Sequence, residues 1–93
     1  MSEVIHEHSF RVIAGDGIAY TVRICAVPVG NEWNGWLEFH PLGGHAPVLR
    51  TERETTQATR ADVEYWAAGL EPVYLEGALT RASAWHPDTQ PWP

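Results

Sequence analysis

The chain has 93 residues, of which 44% are hydrophobic and 19% are charged, a composition typical of one globular domain and not of a disordered polymer. The formal net charge of −6 argues against nucleic acid and anionic membranes as partners, because the mean field repels phosphate groups. The sequence contains no long apolar run and no signal-like start. A single cysteine, Cys25, excludes an intrachain disulfide. These features predict a cytoplasmic protein in which Cys25 is a small apolar core residue.

The first half of the chain predicts antiparallel strands. Residues 8–15 and 18–27 alternate in polarity on either side of Asp16-Gly17, a dipeptide that is a strong hairpin signal because glycine adopts positive φ without steric cost. The alternation assigns one set of side chains to the core face of the second strand, namely Tyr20, Val22, Ile24 and Ala26. The two segments are expected to pair.

The next segment predicts a loop over residues 28–33, a third strand over 34–40 and a shorter fourth strand over 47–53. Trp33 and Trp36 flank Gly35 and have opposite parity, so their side chains belong on opposite faces of the sheet. We expect one of these indoles to be exposed or covered by something other than the core. An exposed aromatic there would suit a protein partner or a second copy of the chain.

The second half predicts helices. Apolar residues recur at helical spacing from Val63 to Leu70, Thr59 and Asp62 have the spacing of a capping box, and Gly69 is placed to end the helix in a left-handed conformation. This predicts a helix over 60–68. A second helical stripe from Leu75 to Ala82 predicts a helix over 72–83, with a strand over 72–76 as the alternative because a glycine interrupts the segment.

These elements predict an α+β fold: an antiparallel meander of three or four strands, with one or two helices packed on one face. Residues 1–84 are interpreted as a single domain. Residues 85–93, which contain three prolines and Trp92, are interpreted as an extended tail.

Metal chemistry would have to use His6, His8, His40 and His45. His6 and His8 would lie on one face of a strand, about 6 to 7 Å apart, while His40 and His45 bracket a Gly-rich turn. The spacing lacks the helical histidine pairs of many zinc sites. We therefore interpret these histidines as solvent-exposed and predict no metal or other cofactor.

Catalytic chemistry is not predicted either. Glu38 lies between apolar neighbours in a strand, where burial would raise its pKa. The favoured interpretation is that it points outward beside Trp36 and His40 and pairs with an arginine across the sheet. Nothing around Cys25 resembles a nucleophile turn. The sequence therefore favours a protein that is not an enzyme.

Two surfaces are candidate binding sites. The first is the sheet face around Trp36, Glu38 and His40. The second is the polar segment 50–58, which precedes a helix N-terminus where a small anion or a partner's carboxylate would be favoured. Its candidate residues are Arg50, Arg53, Thr55, Thr56 and Gln57. The alternative for this segment is a loop whose threonine and glutamine side chains satisfy its own backbone.

The order of a strand, the segment "NGWLEFHPL", a Gly-containing turn, a short strand and an amphipathic helix resembles small antitoxin domains of the HicB type over residues 17–70. The chain lacks the short link into the helix that is usual in that family. The pattern W-x-x-W-L-E-F with E-T-T-Q also resembles small uncharacterised bacterial proteins, a likeness that implies no activity.

We expect a non-catalytic interaction module that binds a protein partner or itself, with a homodimer favoured. The resemblance implies an alternative, an antitoxin-like or regulatory binder of a basic partner. A third hypothesis is metal binding through the histidines.

Overall fold

A computed structural model describes residues 2–84, so the predicted tail 85–93 lies outside the described residues. The strands are β1 (Glu3–Glu7), β2 (Val12–Ile13), β3 (Ala19–Val29), β4 (Glu32–Pro41), β5 (Leu49–Arg50) and β6 (Thr55–Gln57). They are followed by the helices α1 (Arg60–Ala68) and α2 (Pro72–Ala84). All strand pairs are antiparallel. The predicted α+β class is confirmed.

The sheet is four strands wide, and each of its edges is divided into two short strands. The central pair, β3 and β4, runs in continuous register from Tyr20 opposite Pro41 to Val29 opposite Glu32. On one side β1 and β2 both pair with β3, and on the other side β5 and β6 both pair with β4. Strands β1 and β6 were not predicted, and β5 is much shorter than the segment 47–53.

The predicted hairpin around Asp16-Gly17 is confirmed, with only β2 as its first strand. Val12 lies opposite Tyr20 and Ile13 opposite Ala19. Gly17 has φ +88, and the Asp16 carboxylate accepts a hydrogen bond from the Ile18 amide at 3.0 Å. The turn therefore uses glycine for the positive φ and aspartate to satisfy the turn backbone.

The loop predicted over residues 28–33 is wrong, because β3 and β4 continue into it and meet at a two-residue turn. Val29 and Glu32 close this turn, so Pro28 and Trp33 form the next, non-hydrogen-bonded pair. The ring nitrogen of Pro28 then points away from β4, towards the edge of β3 that pairs with β1. The first residue of β1, Glu3, lies opposite Ala26, so β1 does not reach Pro28. A proline is tolerated here because no ladder hydrogen bond is lost.

Helix α1 forms at the predicted residues. Thr59 is its N-cap, and the Thr59 hydroxyl accepts a hydrogen bond from the Asp62 amide at 3.1 Å. The prediction for Gly69 is wrong: its φ is −89, and its amide bonds to the carbonyl oxygens of Trp66 and Ala67 without a left-handed turn. Helix α2 begins at Pro72, three residues after Gly69.

Helix α2 confirms the helical interpretation of 72–83. Its buried residues are the predicted stripe, Leu75, Ala78, Leu79 and Ala82. With Val63 and Ala67 of α1 they pack on Val22, Ile24, Ala26, Leu37 and Phe39 of the sheet. Both helices therefore cover the same face. Within residues 2–84, no helix combines the length and the apolarity needed to cross a membrane.

Candidate functional site on the open face of the sheet

The face of the sheet opposite the two helices is called the open face here. Since side chains alternate along a strand, β3 and β4 direct every second residue to it: Thr21, Arg23, Cys25, Val27, Asn34, Trp36, Glu38 and His40. Among residues 2–84, both helices lie on the other side. From β4, the open face therefore collects the predicted binding residues Trp36, Glu38 and His40.

Trp36 lies against the open face and is only 3% exposed. The guanidinium of Arg50 lies 4.7 Å from the centroid of its ring, within the range of a cation–π contact. The indole Nε1 donates to Glu38 Oε2 at 3.2 Å. The predicted exposed aromatic patch is therefore wrong for Trp36. The sequence also allowed for an indole that is covered by something other than the core, and Trp36, which lies under Arg50, is such an indole.

Glu38 is the centre of this cluster. Its carboxylate accepts from Trp36 and, at 3.1 Å, from His40 Nε2. Burial alone would raise the Glu38 pKa, but the hydrogen bonds from Trp36 and His40 and the charges of His40 and Arg50 outweigh burial and lower it. The structure agrees with the favoured interpretation, because Glu38 lies beside Trp36 and His40 and opposite Arg23 and Arg50, and the alternative of a raised pKa is wrong. A carboxylate held in this way is poorly suited to act as a general acid.

Cys25 lies directly opposite Trp36 in the β3–β4 pair. It is buried as predicted, but on the open face and not in the core. Burial, and then the neighbouring Glu38 carboxylate, raise the pKa of the thiol to about 12. The thiol therefore stays protonated near neutral pH, and a protonated thiol is a weak nucleophile.

One row of charges crosses the whole open face. Glu7 of β1 lies opposite Arg23 of β3, Arg23 lies opposite Glu38 of β4, and Glu38 lies opposite Arg50 of β5. Arg23 Nε is 3.2 Å from Glu7 Oε2. We call these four residues the charge row. Its signs alternate across the four strands, which is the favourable arrangement for opposed residues in a sheet.

The polar segment 50–58 is not a free loop, because its two ends pair with β4. Thr51 is buried, and its hydroxyl accepts a hydrogen bond from the Leu37 amide at 3.1 Å. Thr56 donates to Asn34 on the open face, and Gln57 donates to Thr55 at 2.7 Å. Thr55 faces the helices, with its Cγ2 close to Gly35. The threonines thus make this segment an edge of the sheet, which suits β-branched residues.

The predicted anion site at the start of α1 is not assembled as expected. Thr59 already caps the helix, and Arg60 bonds to Glu3 and lies 3.7 Å from Glu64. Arg50 belongs to the charge row, while Arg53 is exposed at the bend between β5 and β6. The arginines of this segment are therefore directed to different parts of the molecule.

The four histidines are not brought together. His6 and His8 contact each other, with ring centroids 4.8 Å apart, and His8 Nε2 donates to the Ala67 carbonyl of α1 at 2.9 Å. His40 lies on the open face, and His45 is exposed in the turn after β4. Within residues 2–84, no three histidine, cysteine or acidic side chains form a group suited to a metal ion.

We expect the contact of His8 with the end of α1 to make stability depend on pH. Burial first, and then the neighbouring His6, lower the His8 pKa from 6.5 in the folded state, against the hydrogen bond to Ala67. The unfolded chain therefore binds the proton more tightly, and the free energy of unfolding falls as pH drops through and below 6.5.

Urea unfolding at a series of pH values measures this effect. The variant His8→Gln, whose amide can still donate to Ala67, should decline less than the parent on acidification. The control His45→Gln removes a histidine that lies away from this contact. An equal decline in His8→Gln and the parent would contradict the assignment.

Sequence reasoning missed one further cluster, on the side of α2. The Glu54 side chain is 10% exposed, bonds to the Tyr74 hydroxyl, and lies 2.6 Å from Arg81 Nη2. Burial, and then Glu54, raise the Tyr74 pKa to about 12. Tyr74 and Arg81 lie two turns apart on one face of α2, with the Arg81 guanidinium 5.6 Å from the Tyr74 ring centroid. The sequence gave no signal for the cluster, because the partner Glu54 is distant in sequence. This cluster fixes α2 to the bend between β5 and β6.

Searches with protein-family models, curated proteins and solved structures found no match to the chain.

Proposed function

We propose that this chain is a small cytoplasmic interaction module without catalytic activity, and that it associates with itself through the open face. One observation carries the proposal. The charge row contains two carboxylates and two guanidinium groups, so it is neutral in a chain of net charge −6. Two copies repel each other on average, and this face is where they can meet without that repulsion.

The groups of the open face suit recognition better than proton transfer or nucleophilic attack. The pKa of Cys25 is raised to about 12, and the pKa of Glu38 is lowered by its hydrogen bonds and charged neighbours. A nucleophile or a general acid needs the opposite shifts. The cluster instead holds Trp36, Glu38 and His40 in one arrangement, and preordered side chains lose less entropy when a partner binds.

Part of the open face can reach a second copy. The Arg23 and Glu7 side chains are 40% and 62% exposed, whereas Trp36, Cys25 and Asn34 are buried within the chain. A contact through the exposed part alone is smaller than the interface of a permanent dimer. We therefore expect association that depends on protein concentration.

Light scattering over a range of concentrations tests this function. The molar mass should rise from 10.4 kDa towards twice that value as concentration increases. Val27→Arg places a charge on the open face and should weaken association, whereas Val73→Arg places the same charge at the exposed Val73 of α2 and should not. A mass of 10.4 kDa at every concentration would contradict self-association.

A second candidate is the binder of a basic partner that the HicB-like order of elements implies. The observation in its favour is the helical side of the molecule, where Asp62, Glu64, Glu71 and Glu76 are exposed. Purification of the native protein at low ionic strength should then retain a basic protein in stoichiometric amount. Recovery without such a protein would count against this alternative.

A further inference from the structure

The open face is unevenly buried. In its middle, Trp36 is 3% exposed and Cys25, which lies opposite Trp36, is 4% exposed. Towards its two ends, Leu42 just beyond β4 is 46% exposed and Val29 of β3 is 48% exposed. The part of the face that is shielded from water is therefore a band across its middle.

The neighbours of Trp36 within residues 2–84 do not account for its burial. The helices are on the other side of the sheet, and side chains on adjacent strands stand beside an indole and not over it. The Arg50 guanidinium lies over the ring, but it is smaller than the indole, and its own Nε is buried. Trp36 and Arg50 also take part in further interactions. Their burial requires a further group on the outer side of both residues.

The chain itself supplies a segment at the right place. Residues 85–93 lie outside the described residues, and they follow directly on Ala84, the last residue of α2. The last turn of α2 lies beside the edge strand β2, because Ser83 and Ile13 line the same groove. The segment therefore starts at an edge of the sheet, from where it can pass to the open face without crossing the helices.

Trp36 is separated from this edge by about 22 Å in the plane of the sheet. Ile13 lies opposite Ala19, and the Leu42 amide donates to the Ala19 carbonyl, so the three residues form one row across β2, β3 and the end of β4. From this row Trp36 lies six residues along β4, or about 20 Å, and β4 is two strand positions, or about 10 Å, from β2.

The far end of the segment can bridge this distance. An extended chain rich in proline advances about 3.1 Å per residue, so Trp92, eight residues after Ala84, can lie about 25 Å away. Trp85 follows Ala84 directly and cannot. Trp92 is flanked by Pro91 and Pro93, which restrict the backbone and reduce the entropy lost on docking. Attachment to α2 also gives Trp92 a local concentration on the order of millimolar, enough for a weak contact to form.

We propose that residues 85–93 pass the edge of the sheet at β2 and cover the middle of the open face. The Trp92 indole then lies against Trp36 and Arg50. An indole suits both neighbours, because it packs on another aromatic ring and stacks on a guanidinium. One extended segment covers a narrow band, in agreement with the exposed ends of the open face, whereas a stacked second copy would cover the ends as well.

This inference is independent of the proposed self-association. The side chains of Glu7 and Arg23 lie outside the buried band and are exposed, so a second copy can contact them beside the segment. The segment closes a different part of the open face, around Trp36, to other molecules.

The rate at which iodoacetamide alkylates Cys25 tests the proposal, because Cys25 is the only thiol of the chain and lies in the buried band. Trp92→Ala should raise this rate at least about twofold, since a contact that is formed half of the time already halves it. Trp92→Phe keeps an aromatic ring and should raise the rate less. Trp85→Ala is the matched control, because it removes an indole that cannot reach Trp36, and it should leave the rate unchanged.

Circular dichroism and urea unfolding of each variant ensure that the rates are compared between equally folded proteins. Since the contact is within one chain, the rate for the parent should not depend on protein concentration. A Trp92→Ala rate equal to that of the parent would overturn the proposal. A parent rate that falls as concentration rises would also overturn it, because a second copy would then be the cover, and would support the proposed self-association.

A disulfide gives a second test that does not rely on a rate. In Trp92→Cys the new thiol should lie close enough to Cys25 for mild oxidation to join the two within one chain, since a disulfide needs Cα atoms within about 7 Å. Trp85→Cys should form no such link. A Trp92→Cys variant that stays reduced, a disulfide that joins two chains, or equal linking of both variants would overturn the proposal.

Discussion

Leu75→Ala is expected to lower the free energy of unfolding by about 2 to 5 kcal/mol, the range for truncating a buried leucine in a core that cannot fully collapse. Leu75 is completely buried in α2. It belongs to the core that joins both helices to β3 and β4, so the cavity would open between the two layers. Chemical unfolding in urea, followed by tryptophan fluorescence, measures the change.

Val73→Ala in the same helix is the matched control, because Val73 is 74% exposed. Its effect should stay within about 0.5 kcal/mol. The pair also tests the secondary structure, since a strand over 72–76 would direct both side chains to the same face. Similar losses for both variants would contradict a helix here.

Gly35→Val should lower the free energy of unfolding by about 1 to 3 kcal/mol through overpacking. A Cβ at Gly35 would lie 3.0 Å from Thr55 Cγ2 and 3.4 Å from both Val63 Cγ1 and the Cys25 carbonyl oxygen. The residue therefore lets β6 and the start of α1 approach β4 closely. Thermal and urea unfolding of the variant would report the loss.

The control for this substitution is Gly15→Val in the turn before β3. A Cβ at Gly15 meets nothing within 4 Å, and its φ is not in the left-handed region. We expect a change within about 0.5 kcal/mol. If Gly35→Val were tolerated as well as Gly15→Val, the close approach of α1 and β6 to Gly35 would be incorrect.

Local patterns were sufficient for the long elements. The alternation along β3 correctly assigned Val22 and Ile24 to the core, and the helical stripe of α2 correctly assigned Leu75 and Leu79. These periodicities are visible because each element buries one face over many residues. A two-residue strand such as β5 is too short to show one, and its pairing depends on β4 being beside it.

The candidate site was predicted only in part, for a related reason. Trp36, Glu38 and His40 lie on one strand, so alternation alone places them on one face. Glu7 and Arg50 join them through pairing across the sheet, and that register depends on contacts distant in sequence. The direction of the Glu38 pKa shift depends on the hydrogen bond from Trp36 and the charge of Arg50, which outweigh burial and are not visible in the strand pattern alone.

The divided edges of the sheet bear on how large an assembly this chain can form. Among residues 2–84, the longest edge strand is β1, with five residues and a break in register between Val4 and His6, while β2, β5 and β6 have two or three residues each. Short and irregular edges are poor templates for adding another strand. Growth sideways into a continuous sheet or a fibre is therefore disfavoured, and the self-association proposed through the open face would end at two copies.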